Sequence, residues 1–214
     1  MAKYALGCLG IIVLGVVFLL IGGCSSYNHL VGLSQDVDSK WADVQADYQR
    51  RMDLIPNLVQ TVSGAANFEK STLIAVTDAR ASVGQVRIDP SKAPDDPQKL
   101  ADYDRAQGQL GSAISRLLVV AENYPNLKSS ENFLGLQSEL EGTENRIAVA
   151  RMNFNHSTQA YNSAVRYFPA VLYAGALGFS PKPYFESAAG AEKAPAVNFN
   201  FGNPTPAPNP APAQ

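Results

Sequence analysis

The residues best suited to chemistry are six charged side chains that fall on or beside apolar lines of the sequence. They are Arg51, Glu69, Arg80, Glu141, Glu144 and Arg151. Burying such a charge without a partner costs several kcal/mol, so each must pair or remain hydrated. We favour cross-helix ion pairs that fix the register of packed helices. Two alternatives remain open: an acid/base site in a polar pocket between helices, and a hydrated groove for a partner.

Common templates for catalysis and metal binding do not fit this sequence. His29 and His156 lack the glutamate three residues earlier that a helical carboxylate metal site needs. Cys8 and Cys24 both lie in the apolar N-terminal stretch, so neither is a candidate nucleophile of the folded body. The sequence also lacks a glycine-rich phosphate loop. We therefore predict no catalytic residues, no cofactor and no metal site, and a protein that is not an enzyme.

The balance of charge excludes another class of function. The 19 acidic and 17 basic side chains give a formal net charge of −2. A protein that binds nucleic acid needs a concentrated basic face, often with aromatic residues between the basic ones. Because neither feature is present, we expect no nucleic-acid partner.

A long helix near the C-terminal end must position several of these charges. Between residues 131 and 168 a bulky residue recurs every seven positions, at Phe133, Leu140, Ile147, Phe154, Tyr161 and Phe168. A seven-residue repeat of this length predicts a helix with a continuous apolar line along one side. At 1.5 Å per residue the helix is roughly 55 Å long, which requires partner helices along its length.

Three earlier segments show the helical spacing of three and four residues between apolar positions. The first runs from Leu30 to Pro56, where we expect a kink or the start of a new helix. The second covers residues 59–83 and has Glu69 and Arg80 at seam positions. The third is expected over residues 97–123, with Asp96 as its N-cap. The predicted fold class is all-α: an elongated antiparallel bundle of about four long helices after an N-terminal membrane-anchor helix.

The N-terminal stretch predicts attachment to a membrane. Residues 5–23 form an uncharged apolar run that is long enough to span a bilayer as a helix. In the alternative, the small residues before Cys24 are the cleavage site of a lipoprotein, and Cys24 carries the lipid. Lys3 precedes the run and the first charges after it are acidic, so the positive-inside tendency places the body outside the cytoplasm.

The chain divides into three parts on these grounds. Residues 1–26 form the anchor, residues 27–186 the helical bundle, and residues 187–214 a disordered tail rich in proline and alanine. Pro169 stops the long helix, and an apolar segment follows as far as Phe179. This segment is either a cap that docks on one end of the bundle or a patch for the membrane or a partner.

Several stretches resemble the LemA family of bacterial membrane proteins. They are residues 27–31, 40–42, 49–59, 124–128, 139–151, 153–155, 161–162, 178–179 and 184–185. The resemblance implies an antiparallel helical bundle that is anchored in a membrane and has no known catalysis. It also implies a scaffold or adaptor whose partners are the membrane and envelope proteins, among them a membrane protease.

The resulting functional hypothesis is a non-enzymatic scaffold or adaptor of the bacterial cell envelope. It is anchored at its N-terminus, lies on the periplasmic side and presents a rigid bundle to partner proteins. One alternative is an enzyme or small-molecule binder that uses an inter-helix polar pocket formed by Arg51, Glu69, Arg80, Glu144 and Arg151. Another is a membrane-remodelling protein that acts through residues 169–179.

Overall fold

The structure is a computed structural model that describes residues 2–65 and 68–186, with the backbone alone for residues 2–22 and 24. The described helices are α1 (Ala2–Ser63), α2 (Lys70–Gln85), α3 (Pro97–Ala121), α4 (Pro125–Lys128) and α5 (Glu131–Arg166). Two short 3-10 turns, Ala170–Leu172 and Gly175–Leu177, follow α5. The described part of the chain contains no strand, which confirms the all-α prediction.

The prediction of an N-terminal anchor rests on side chains that the structure does not describe. The apolar run, the lipid-attachment alternative at Cys24 and the tail after residue 186 all lie outside the described residues or side chains. Among the residues whose side chains the structure describes, no helix combines the length and apolarity needed to cross a membrane.

The four long helices alternate in direction. α1 packs along α5, and α2 packs along α3. Asp47 pairs with Arg146 and Arg51 with Glu144, so the numbering rises on α1 as it falls on α5. Tyr103 of α3 reaches across to α1. The arrangement is an up-down-up-down bundle, in agreement with the predicted antiparallel bundle.

α1 packs into the bundle along a single line of apolar residues. Its fully buried members recur at intervals of three and four or their sums: Leu30, Val37, Trp41, Val44, Tyr48, Ile55, Leu58 and Val62. Pro56 lies inside this helix with its ring exposed, so α1 continues past it and no new helix starts at Asp53. Of the two alternatives expected at Pro56, the start of a new helix is therefore wrong. Packing along the whole apolar line outweighs the loss of one backbone donor.

The seven-residue repeat forms the inner face of α5 as predicted. Phe133, Leu140, Ile147, Phe154 and Tyr161 are all buried. Phe168 is the exception, because α5 ends at Arg166 and the Phe168 side chain is 80 % exposed. The following Pro169 disfavours helical geometry at Phe168, so the chain turns away before the sixth repeat position.

Side-chain caps begin two of the helices, the predicted one at Asp96 and a second at Ser130. The Asp96 carboxylate accepts a hydrogen bond from the Gln98 amide at 2.9 Å, and Pro97 stands at the first position of α3. The Ser130 hydroxyl accepts from the Phe133 amide at 3.2 Å at the start of α5. Each cap satisfies a backbone donor that the first helical turn leaves free.

The segment after α5 has two parts that concern function. Residues 167–177, which we call the collar, close one end of the bundle by burying Ala170 and Ala174. Residues 181–186, which we call the strap, then run back along α5 without forming a helix. Both parts lie beside α1, and the strap reaches the middle of the core.

Candidate functional site

The centre of the charged region is Arg51, whose side chain comes from α1 and is buried. Its Nη1 donates to Glu144 Oε1 of α5 at 2.8 Å. Its Nη2 donates to the backbone oxygen of Gln107 on α3 at 3.1 Å and also to the Gln107 side-chain oxygen. One guanidinium therefore ties three helices together, and its charge is neutralised by the half-exposed Glu144.

Further ion pairs join the same three helices. Arg146 of α5 lies 3.5 Å from Asp47 of α1, and Arg151 Nη1 lies 2.8 Å from Asp104 of α3. These pairs are partly exposed, so each contributes less than 1 kcal/mol or so to stability. Their placement at separate levels of the bundle fixes the register of α5 against its neighbours.

The other predicted site residues do not join this network. Glu69 precedes α2 and accepts from the Thr72 hydroxyl at 3.3 Å, while Arg80 is exposed on α2. Glu141 is exposed and accepts from Gln137 at 3.1 Å. The seam positions predicted for Glu69 and Arg80 are wrong, because α2 begins only at Lys70 and packs mainly on α3, which leaves it a narrow buried stripe.

A groove of about 830 Å³ between α3 and α5 is what remains of the pocket hypothesis. Its walls include Gly108, Gly111 and Ser112 on α3 and Glu141 and Glu144 on α5. Of these wall residues, Glu144 is the one that pairs with Arg51. Among the described residues no cluster of three or more histidine, cysteine or acidic side chains could hold a metal ion.

Tyr48 is buried beside this network, in surroundings from which water is largely excluded. The Arg51 guanidinium stands 5.2 Å from the centre of the Tyr48 ring, a cation–π distance. Burial raises the pKa of Tyr48 to about 12, because the phenolate would lose its hydration. The phenol is therefore neutral at pH 7 and acts as a packing group.

A second constellation, which sequence reasoning missed, holds the strap. Asn162 of α5 donates to the Lys182 carbonyl and accepts from the Lys182 amide, both at 2.8 Å. Asn155 makes the same pair of hydrogen bonds with Phe185, both at 2.9 Å. Seven helical residues rise about 10.5 Å, and three extended residues span about 10 Å. The two asparagines therefore match every third residue of an extended chain.

Two strap side chains enter separate pockets beside these clamps. Lys182 is 5 % exposed, and its Nζ lies 3.1 Å from Asp38 and 3.7 Å from Asp95. Phe185 is also 5 % exposed and lies within 6.0 Å of the Trp41 ring and 5.4 Å of the Phe154 ring. The bundle thus binds the strap through its backbone, through the Lys182 ammonium and through the Phe185 ring.

Replacing Asn162 by alanine is expected to lower the free energy of unfolding by about 1–3 kcal/mol, because two buried strap groups lose their partners. Urea unfolding of the full chain in detergent, followed by circular dichroism, measures this loss. Asn153→Ala is the matched control, since Asn153 lies on the exposed side of the same helix. Equal effects of the two substitutions would show that the asparagine clamp contributes nothing.

Comparison with known proteins matches the sequence resemblance. The model of the LemA family covers residues 40–199 of this chain. The chain belongs to the LemA family. Similar proteins are magnetosome protein MamQ of Magnetospirillum gryphiswaldense, with 29% identity over 85% of this chain and 73% of that protein, and magnetosome protein MamQ 2 of Paramagnetospirillum magneticum, with 28% identity over 81% and 70%. Protein LemA of Metamycoplasma hominis is 24% identical over 74% of this chain and 67% of its own length.

The LemA resemblance coincides with the two constellations of this site. Its stretches 49–59 and 139–151 contain Arg51 and Glu144, and its shorter stretches contain Asn155, Asn162 and Phe185. Membership of the LemA family, together with these relatives, supports a membrane-associated bacterial protein. The spacing of Asn155 and Asn162, seven residues apart beside the apolar line, was the available sequence signal for the strap site.

Proposed function

We propose that the protein is a non-enzymatic, membrane-anchored scaffold or adaptor of the bacterial cell envelope. Residues 1–26 tether it, and the bundle stands on the periplasmic side and binds envelope proteins, a membrane protease among the candidates. The observation that carries this proposal is the pairing of the central charges: Arg51 with Glu144, Arg151 with Asp104. Catalytic groups usually converge on a cleft, whereas these groups neutralise one another across helices.

The exposed side of α5 offers a face for such a partner. Val149 and Met152 are large apolar residues, both exposed, and they stand one helical turn apart. Aromatic and methionine side chains are enriched at protein interfaces, and a few residues near the centre carry most of the binding energy. We therefore place the partner contact of the scaffold on this stretch of α5.

The scaffold role predicts that Val149→Glu together with Met152→Glu abolishes recovery of a stoichiometric envelope partner while the unfolding midpoint is unchanged. The measurement is affinity purification of the full chain from native membranes after cross-linking, with the partner identified by mass spectrometry. Val119→Glu, at an exposed apolar position of α3, is the control and should retain the partner. Loss of the partner only in variants that unfold would contradict a docking role for this face.

The collar favours a second candidate function, remodelling of the bilayer. Phe168 and Leu172 are 80 % and 75 % exposed, and other large apolar residues of the collar are exposed beside them. The Tyr173 hydroxyl contacts Ser26, and the Phe179 ring lies 5.6 Å from Tyr27. The exposed collar thus stands just beyond the apolar run of residues 5–23. Aromatic and aliphatic side chains at that level favour the membrane interface.

Insertion of the collar predicts that, in a chain carrying Cys8→Ser and Cys24→Ser, a dye placed at Phe168→Cys is quenched by spin-labelled lipids after reconstitution in liposomes. The same dye at Val119→Cys should stay unquenched, because α3 carries it away from the collar. For remodelling, the wild-type chain should also reduce liposome diameter, and Phe168→Ser with Leu172→Ser should abolish this change. Equal quenching at both positions would exclude a specific membrane contact of the collar.

A further inference from the structure

The strap is bound in the way that proteins bind a peptide ligand. Its backbone pairs with two asparagine amides on α5, which read an extended chain irrespective of sequence. Its specificity comes from two pockets. The acidic pocket of Asp38 and Asp95 takes Lys182, and the aromatic pocket takes Phe185. The motif that satisfies all of these contacts is Lys-x-x-Phe in an extended conformation.

The strap itself is prepared for extended binding. Pro181 and Pro183 flank Lys182 and restrict the backbone to geometries near those of an extended chain. Neither proline has an amide N–H, and the two strap residues that donate to the asparagines are the non-proline residues Lys182 and Phe185. A ligand held near its bound conformation loses less entropy when it binds.

The covalent connection to the bundle is short and exposed at the point where the strap begins. Phe179 is still held by the bundle, since its ring packs against Tyr27 and its amide donates to the Ala174 carbonyl at 2.9 Å. The next two residues, Ser180 and Pro181, are exposed and belong to no helix. Rotation at these residues would redirect the strap without disturbing α5. The strap lies in a site formed by the two asparagines of α5, the acidic pocket and the aromatic pocket, which we call the strap groove. Every contact that the strap groove makes with its own strap is equally available to the strap of another copy.

We propose that the strap groove is a binding site for extended Lys-x-x-Phe peptides and that its ligand in trans is the strap of a second copy of this chain. Exchange of an identical segment preserves every hydrogen bond and pocket contact, so it is an economical route to a dimer. In that dimer each bundle is completed by the partner's Lys182 and Phe185. The inference rests on the strap and its groove alone and is independent of the proposed scaffold role.

The test uses the full chain in detergent and photo-cross-linking from Tyr184. Tyr184 is exposed and lines one surface together with Met152, His156 and Gln159 of α5. One copy carries benzoylphenylalanine in place of Tyr184 and normal nitrogen, and the other is wild type labelled with ¹⁵N. The two are mixed, warmed to partial unfolding, cooled and irradiated. Peptides that join the strap of one isotope to α5 of the other report exchange.

The expected result is a severalfold excess of mixed-isotope strap–α5 peptides over the collision level measured with benzoylphenylalanine at Val119 of α3. Asn155→Ala with Asn162→Ala in the ¹⁵N copy should reduce this excess to the collision level, because that groove no longer binds the backbone. Because Tyr184 is exposed, the labelled chain folds as the wild type does, and the cross-link within one copy verifies this. Cross-links confined to single copies, with mixed peptides at the collision level, would overturn the proposal.

Discussion

Trp41→Ala should lower the free energy of unfolding by about 3–5 kcal/mol, the usual loss for a buried tryptophan or phenylalanine. Trp41 is fully buried at 0 % exposure and lies 6.0 Å from the Tyr103 ring and 5.7 Å from the Phe154 ring. Its Nε1 also donates to the Asp89 carbonyl at 3.0 Å. One side chain therefore joins α1 to α3, to α5, and to the loop before α3. Urea unfolding followed by circular dichroism measures the loss.

Trp41→Phe is the informative control for that substitution. It keeps an aromatic ring in the cluster but removes the hydrogen bond to Asp89 and some volume, so we expect a loss of about 1–2 kcal/mol. Intrinsic fluorescence is unsuitable as a probe here, because Trp41 is the single tryptophan of the chain. If alanine and phenylalanine cost the same, the aromatic packing around Trp41 is not what stabilises the bundle.

Arg51→Ala is expected to lower the free energy of unfolding by about 3–5 kcal/mol relative to wild type. The substitution removes the hydrogen bonds to Glu144 and Gln107 and leaves a cavity among three helices. Arg51→Met fills much of that volume and should lose less. The same urea experiment compares both variants with Arg50→Ala, an exposed neighbour that should remain within about 0.5 kcal/mol of wild type.

The single substitution Glu144→Gln separates charge from packing at this site. Because Glu144 is half-exposed, solvent replaces part of its interaction with Arg51, and we expect a loss of only about 1–2 kcal/mol. A larger loss from Glu144→Gln than from Arg51→Ala would mean that an unpaired buried guanidinium, and not missing contacts, dominates the energetics.

Burial along a regular helix was predictable from spacing alone. The inner residues of α5 and of α3 recur with the period of a packed helix, and Asp96 and Ser130 have the side chains that caps require. Apolar periodicity reports which face of a helix loses water, so it carries this information in the sequence itself. It does not report where a helix stops, and Phe168 therefore continues the repeat in sequence but not in space.

The candidate site was less accessible to the same reasoning. Arg51 was recognisable because it is a charged residue on an apolar line. Its partners Gln107 and Glu144, however, lie 56 and 93 residues further along the chain, on other helices. Glu69 met the same criterion and proved exposed, since spacing cannot tell a helical residue from the one that precedes the helix. The strap has no period at all. Only the tertiary fold brings residues 182 and 185 to Asn162 and Asn155.

The continuity of α1 has a mechanical consequence. It is one helix of 62 residues, about 90 Å from end to end. Such a rod acts as a lever arm, since no loop between its first turns and the bundle absorbs a change of angle. A lean of about 10° at one end displaces the other by roughly 16 Å. Any partner that fixes the orientation of the first turns of α1 therefore also fixes the orientation of the bundle.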